Sequence, residues 1–521
     1  MKKYFQYAGN DLRASIVVLL VALPLCLGIA LGSGAPLFSG IIAGIVGGIV
    51  IGMLSGSHLS VSGPAAGLTV IVAAGILKLQ VYEAFLLAVV IAGVLQLVLG
   101  FIKAGVIGDY IPNSVIKGML AAIGLILILK QFPHLVGYDA DFVGDETFNQ
   151  GDTKNTFSEM FQALGFITPA ALIIGAVSLL ILIFWETGFA KSNRIIKAVP
   201  GPLVVVLAGI LISEYVKRYQ PSFSLEAKQL VSLPAANNIG AFFSFFTFPD
   251  ITFLTNPDVW VTAATLAIVA SLETLLGIEA VDKLDPLKRV TPANRELKAQ
   301  GIGNIVSGLI GGLPLTSVVV RSSANVSAGA KTKVSAIMHG VLLSLCVMFI
   351  PLFLNKIPLS ALAAILIFTG YKLAKLSLFK EFFRKGWDQF VPFAVTIMAI
   401  LLTDLLIGIV VGILVGLFFM VRSNFRSSVF VVNDNNNFLI RFRKDVSFLN
   451  KPIIKSKLED VPENAFVLID ATRADFIDKD VIEEVNNFLC HAYLKNIRVE
   501  IKKSPNKPMH LLFQEPQTLI I

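Results

Sequence analysis

Leu54-Ser55-Gly56-Ser57-His58-Leu59-Ser60-Val61-Ser62-Gly63-Pro64 interrupts one apolar region of the chain, and Gly308-Leu309-Ile310-Gly311-Gly312-Leu313-Pro314-Leu315-Thr316-Ser317 interrupts another. Each stretch is rich in Gly and small polar residues, carries a Pro, and leads into a short apolar segment. Working outward from them, we read spans at about 15–32, 37–55, 64–78, 82–101, 112–130, 168–186, 201–213, 259–280, 296–312, 317–330, 334–353, 359–374, 389–403 and 404–422. The interruptions precede the third and the tenth of these fourteen spans. Seven positions separate them, which fits two repeats of seven spans. Odd-numbered repeats have opposite orientations in the membrane, so the two broken helices are expected to meet near the midplane.

Composition supports a bilayer as the solvent for most of the chain. The 521 residues are 55% hydrophobic and 15% charged, with a mean hydropathy of +0.77; a soluble chain carries about 25% charged residues. The apolar excess is gathered into windows of the length needed to cross about 30 Å of hydrocarbon. The net charge of +8 lies mostly in short loops between those windows, at Lys191-Arg194-Lys197, Lys283 to Lys298, Lys331-Lys333 and Lys372 to Lys385. It reads as a topology signal, not as a nucleic-acid footprint. With an even span count, both termini and the basic loops are expected on the cytoplasmic side. Asp139 to Glu159 is acidic, and Trp185, Trp260 and Trp387 fall at span ends, where interfacial anchors belong. The run from Ile16 to Leu31 after Met1-Lys2-Lys3 is read as the first span, not a removable leader.

Beyond Arg422 the composition changes. Phe438–Phe442, Phe466–Asp470 and Ile497–Ile501 read as short strands and Val481–Leu494 as a helix, the pattern of a small soluble α/β domain. The expected domains are therefore 1–425, a transmembrane domain, and 426–521, a cytoplasmic domain with a short tail.

A helix that starts inside the bilayer leaves its first N–H groups without acceptors, which costs several kcal/mol unless a partner arrives. An anion is such a partner. Two half-helix starts, near Pro64-Ala65-Ala66 and near Leu315-Thr316-Ser317, offer open amides and about half a positive charge each; the hydroxyls of Ser62, Thr69, Thr316 and Ser317 add donors. The competing reading makes the small residues mere aids to helix packing. Arg321, four residues after Ser317, is either a fixed positive charge for the anion or a side chain reaching for the interface. Glu273 sits well inside a long apolar helix with Thr274 beside it. A carboxylate there can lose and regain a proton as an anion moves, or it can be a structural acid. Asp404 reads as a boundary residue. Cys26, Cys346 and Cys490 lack metal-site spacing, the five His form no ligand set, and no catalytic or nucleotide motif occurs. No cofactor, metal or enzymatic activity is expected.

Asp11-Leu12-Arg13-Ala14 before a span with a central Pro24, Val61 to Thr69, Gly312-Leu313-Pro314, and Arg321-Ser322-Ser323-Ala324-Asn325 together resemble the SulP family of inorganic-anion transporters. Asn294-Arg295-Glu296-Leu297, Gln300 to Asn304 and Ala328 to Thr332 are most similar to its bacterial bicarbonate-transporting branch. The resemblance implies an all-α membrane protein with a seven-plus-seven inverted repeat. Spans 1–4 and 8–11 form its core, spans 5–7 and 12–14 its gate, and a C-terminal STAS-like domain supports homodimers in a bacterial inner membrane. It implies an anion site drawn from Leu25, Ser62, Gly63, Ala65, Ala66, Thr69, Thr316, Ser317, Val318 and Arg321, with coupling at Glu273 and Thr274. Departures bear on the coupling ion. The sodium-dependent branch has Asp and Thr where Glu273 and Gly277 stand, and Val318 and Val319 omit an expected hydroxyl. Leu25 occupies a position that is Gln in many eukaryotic relatives, and Lys479 lies in the loop Asp475 to Lys479, where regulatory relatives present Ser. The expectation is proton-coupled uptake of bicarbonate or sulfate by an elevator-like movement, with sodium the second candidate for the coupling ion. An uncoupled exchanger or channel is the alternative, and a nucleobase permease a more distant one.

Overall fold

The computed structural model describes residues 7–139, 156–192, 196, 199–233, 240, 243–403, 405–426, 429–443, 445–504 and 507–514. Asp404, Arg194, Lys197, most of the acidic stretch from Asp139 to Glu159 and the last seven residues lie outside them. Contacts divide the chain into two compact units, Met1–Ile413 and Leu414–Ile521, so the break falls inside the last apolar helix.

In the first unit we number the longer elements in chain order and leave short turns unnumbered. They are α1 Ala8–Gly32, α2 Leu37–Leu54, β1 Ser62–Pro64, α3 Thr69–Leu79, α4 Tyr82–Phe101, α5 Asn113–Val136, α6 Pro169–Glu186, α7 Gly201–Tyr219, α8 Pro257–Leu284, α9 Ala293–Leu309, β2 Leu315–Ser317, α10 Val319–Ser327, α11 Val334–Phe349, α12 Leu359–Leu373, α13 Trp387–Leu402 and α14 Leu405–Arg426. Among the described residues seven helices are long and apolar enough to cross a membrane: α1, α2, α4, α5, α6, α8 and Leu359–Arg384, the last of which includes α12. Apolar side chains of α1, α2, α4, α5, α8 and α12 share one continuous core. Trp185, Trp260 and Trp387 stand at the ends of α6, α8 and α13, as anticipated.

The segments after α2 and α9 are extended where they meet. β1 and β2 pair antiparallel, with Ser62 opposite Ser317, Gly63 opposite Thr316 and Pro64 opposite Leu315. The helices were expected to start at Pro64 and Thr316. Instead a single 3-10 turn at Ala66–Leu68 precedes α3, and α10 begins at Val319. Pro64 has no amide to offer, and the backbone before each helix is taken up by the ladder, so helical geometry is postponed by a few residues.

In the second unit β3 Val429–Asp434, β4 Asn437–Phe442, β5 Phe466–Asp470 and β6 Arg498–Lys502 form a sheet in the order β3-β4-β5-β6. The first pair is antiparallel and the others parallel. Helices α15 Lys451–Glu459 and α16 Lys479–Ala492 make the two parallel crossovers, and Phe442, Ile454, Val467, Ile469 and Val485 are among the side chains buried between sheet and helices. β3 and α15 are additions to the sequence reading. In the loop Asp475 to Lys479, Asp478 caps α16 by accepting the Asp480 amide at 3.1 Å, Asp475 pairs with Lys507 at 2.8 Å, and Lys479 is exposed.

Candidate functional site

A small cavity of about 30 Å³ lies where the chain leaves the ladder, and Ser317 is the ladder residue that lines it. Ala65 and Ala66 line it from the start of α3, Ser317, Val318, Val319 and Val320 from β2 and α10, and Glu273, Leu276 and Gly277 from α8. Met119 and Ile123 of α5 and Leu405 of α14 close it. Sequence-expected residues Ala65, Ala66, Ser317, Val318 and Glu273 therefore meet around one space. Amides in the first turns of α3 and α10 have no acceptor within their own helices. Several are already taken outside those helices: the Val318 amide donates to the Val61 carbonyl at 3.0 Å, Leu68 to the Ala65 carbonyl at 3.2 Å, and Thr69 to the Ala66 carbonyl.

Glu273 also lies over the 3-10 turn that leads into α3: a Cβ added at Gly67 would sit 2.9 Å from Glu273 Oε1. The carboxylate thus occupies the region where the partial positive charge of that half-helix is greatest. Gly277, one turn further along α8, lets this helix reach β2, since a Cβ there would meet the Ser317 carbonyl oxygen at 2.4 Å. A Thr at 277 would have to displace backbone. We expect Gly277→Ala to lower transport at least about 10-fold and to cost about 1–3 kcal/mol by overpacking; flux and a thermal melt on the purified variant measure both, and parental values for each would rule out a tight α8–β2 contact.

The other expected residues form a layer behind the cavity. Ser62, Gly63 and Thr316 are ladder residues, all buried, and Thr316 Oγ1 has no hydrogen-bond partner among the described residues. Thr69 and Thr274 are buried, with hydroxyls in the same condition. Leu25 is buried in α1. None of these six is among the residues lining the cavity.

Arg321 is the largest fully buried side chain, with no exposed surface, which excludes a side chain reaching for the interface. Its guanidinium turns back under the ladder, where Nη2 donates to Cys26 Sγ at 3.3 Å and to the Pro64 carbonyl at 3.4 Å. Only glycine fits above it, because a Cβ at Gly63 would lie 2.0 Å from Nη1. Nε and Nη1 lack hydrogen-bond partners among the described residues. The positive charge therefore lies beneath Gly63, and Arg321 is not among the residues lining the cavity.

Sequence reasoning passed over the face of α9 that carries Glu296, Gln300, Asn304 and Ser307, all at most 1% exposed. Glu296 Oε2 accepts from Ser55 Oγ at 2.5 Å and Oε1 from Gln300 Nε2 at 3.1 Å. Gln300 Nε2 also donates to Ser62 Oγ at 2.6 Å. Asn304 grips Leu315 on both sides, accepting its N–H at 2.6 Å and donating to its carbonyl at 3.1 Å. Ser307 Oγ donates to the Leu313 carbonyl at 2.7 Å. The signal was present as four-residue spacing of polar groups in an otherwise apolar span. A further tie runs across the ladder, between Ser60 Oγ and Ser317 Oγ at 2.6 Å.

Two helix starts aimed at one small cavity, a buried cation beneath them and a carboxylate beside them are features of an anion-handling site, and comparison with known proteins agrees. The profile of the sulfate permease family matches residues 9–399. The chain belongs to that family. It is 27% identical over 395 residues to the putative sulfate transporter YvdB of Bacillus subtilis, covering 75% of this chain and 70% of the relative. It is 24% identical over 390 residues to the bicarbonate transporter BicA of Picosynechococcus sp., covering 73% and 64%. In fold it is similar to SLC26A9, with a TM-score of 0.66 at 17% identity over 96% of this chain and 85% of that one. It is also similar to the transmembrane domain of a cyanobacterial BicA, with a TM-score of 0.55 at 20% identity over 79% and 98%. These relatives are transporters, and this member of the sulfate permease family is a membrane transporter, not an enzyme.

Proposed function

We propose that this sulfate permease family member is a secondary active transporter of a small inorganic anion, bicarbonate or sulfate, coupled to protons through Glu273. The observation that carries the reading is the β1–β2 ladder, which brings two interrupted helices to one cavity with the Glu273 carboxylate over one of their first turns. An anion bound there accepts the amides at the starts of α3 and α10, aided by hydroxyls of the ladder and by the Arg321 charge beneath Gly63. An ionised Glu273 competes for the same positive helix end. Protonation removes that competitor, so a proton and an anion bind together and are released together. At a separation of roughly 5 Å and an effective dielectric of about 20, the repulsion removed is about 3 kcal/mol, a coupling of more than about 100-fold.

The lining of the cavity supports a division between α1–α4 with α8–α11 as a moving core and α5–α7 with α12–α14 as a gate. Its polar and backbone groups come from the first set and its apolar lid from the second. In this reading the fourteen helices form a seven-plus-seven inverted repeat, and the core slides past the gate to alternate access. Both termini face the cytoplasm of a bacterial inner membrane, and the C-terminal unit is a STAS-like domain that supports a homodimer. Gly277 and Val318 deprive a sodium ion of hydroxyl ligands, which favours the proton.

Flux in proteoliposomes with labelled bicarbonate, sulfate and uracil, under imposed proton or sodium gradients, tests the proposal. Uptake of one of the anions against its gradient when the pH gradient alone is present is the expected result. Flux indifferent to both gradients would replace coupling with exchange or channel activity, and uptake of uracil alone would remove the anion.

A further inference from the structure

The polar face of α9 has no direct place in the cavity, yet it touches every part of the cradle that must stay in register. Glu296, Gln300 and Asn304 follow one another at four-residue spacing, so their side chains rise from one face of the helix. Through them a single rigid element holds the segment before β1 at Ser55, β1 at Ser62 and β2 at Leu315. A ladder of three-residue strands supplies few backbone hydrogen bonds of its own, and α9 adds to the ties made by Ser60 with Ser317, Val318 with Val61 and Ser322 with Val61.

Gln300 has a more specific part. Ser55 Oγ accepts the Ser57 amide at 2.9 Å, so its hydrogen is directed at Glu296, which acts as the acceptor. The Glu296 carboxylate in turn orients the Gln300 amide, because turning that amide over would set its carbonyl oxygen against a carboxylate oxygen. With Nε2 so oriented, Ser62 Oγ accepts the Gln300 hydrogen and retains its own hydrogen to donate. We propose that Gln300, oriented by Glu296 and assisted by Asn304, is a positioning residue that fixes the Ser62 hydroxyl in β1 and so holds both half-helix starts in register for the anion. This deepens the anion-site reading and rests on it.

The test is uptake kinetics of radiolabelled bicarbonate and sulfate in proteoliposomes of the full chain, normalised to folded protein by size-exclusion chromatography. Gln300→Met keeps volume but removes the amide. It should raise KM about 10-fold while kcat stays within about 3-fold, the size of the one lost hydrogen bond to Ser62 that holds the cradle in register. Ser62→Ala should raise KM by a similar factor, and the double variant should be no worse than Ser62→Ala, because the two act on one interaction. Additive effects in the double variant, or Gln300→Met reducing only the folded fraction while the remaining transporter keeps its KM, would overturn the positioning role. Asn304→Asp provides a second route if Gln300→Met does not fold: it keeps the acceptor for the Leu315 amide, loses the donor to the Leu315 carbonyl and to Gln96 Oε1, and should raise KM in the protein that folds. A parental KM in folded Asn304→Asp would likewise overturn the proposal. Ser62→Ala with parental KM strikes at the anion site itself, whereas Ser62→Ala raising KM while Gln300→Met leaves it unchanged strikes only at the role of Gln300.

Discussion

Arg321→Met should reduce anion uptake at low substrate about 50-fold and leave the protein at least as resistant to thermal unfolding as the parent. The two halves of that expectation come from the same burial. A guanidinium with no exposed surface has surrendered its hydration, and its contacts are a thiol and a carbonyl. A buried charge without an ionic hydrogen-bond partner carries a large desolvation cost, so an apolar side chain of similar volume removes that cost. Function runs the other way. An anion held above Gly63 at roughly 7 Å from the charge gains about 2.4 kcal/mol at an effective dielectric of about 20, which is a factor of roughly 50 in binding. Concentration-dependent flux and a fluorescence melt of the purified variant measure the two quantities. Unchanged uptake would reduce Arg321 to scaffolding, and a joint loss of uptake and melting temperature would mean that it holds the ladder together instead of charging it.

Glu273→Gln should abolish accumulation driven by a pH gradient while anion exchange across the same membrane persists. The carboxamide keeps the shape beside Gly67, where Glu273 Oε1 approaches the 3-10 turn before α3, but it can neither ionise nor carry a proton. With the competing charge permanently gone, the anion site stays available on both sides. Anion affinity should therefore lose its dependence on pH, whereas the parent binds more tightly as pH falls. Uphill uptake and counterflow, each measured across a range of external pH, separate these outcomes. If accumulation survives in Glu273→Gln, the carboxylate is a structural acid and coupling must be sought elsewhere.

Several features of the site were legible before any coordinates. Paired interruptions at Leu54–Pro64 and Gly308–Ser317 announced two broken helices, since Gly, Pro and Ser inside apolar sequence have few other uses in a bilayer. Hydropathy located most of the helices, and alternation located three strands of the C-terminal unit. β3 and α15 escaped notice. β3 lies in a segment read mainly as a change of composition after the last span, and α15 is a nine-residue helix with few apolar positions.

What the sequence by itself determined was the solvent, the approximate positions of the helices and the existence of two interrupted helices. Those are properties of local composition, and local composition is enough to state them. Tertiary structure alone decided how the pieces meet. It set Ser62 opposite Ser317, moved the helix starts to Ala66 and Val319, put Arg321 under Gly63, and turned Glu273 toward α3. It also gave Gln300 and Asn304 their partners. The physical reason is that each of these contacts joins residues far apart in the chain, through side-chain reach and close backbone approach, and neither is encoded in the spacing of residues along any one helix.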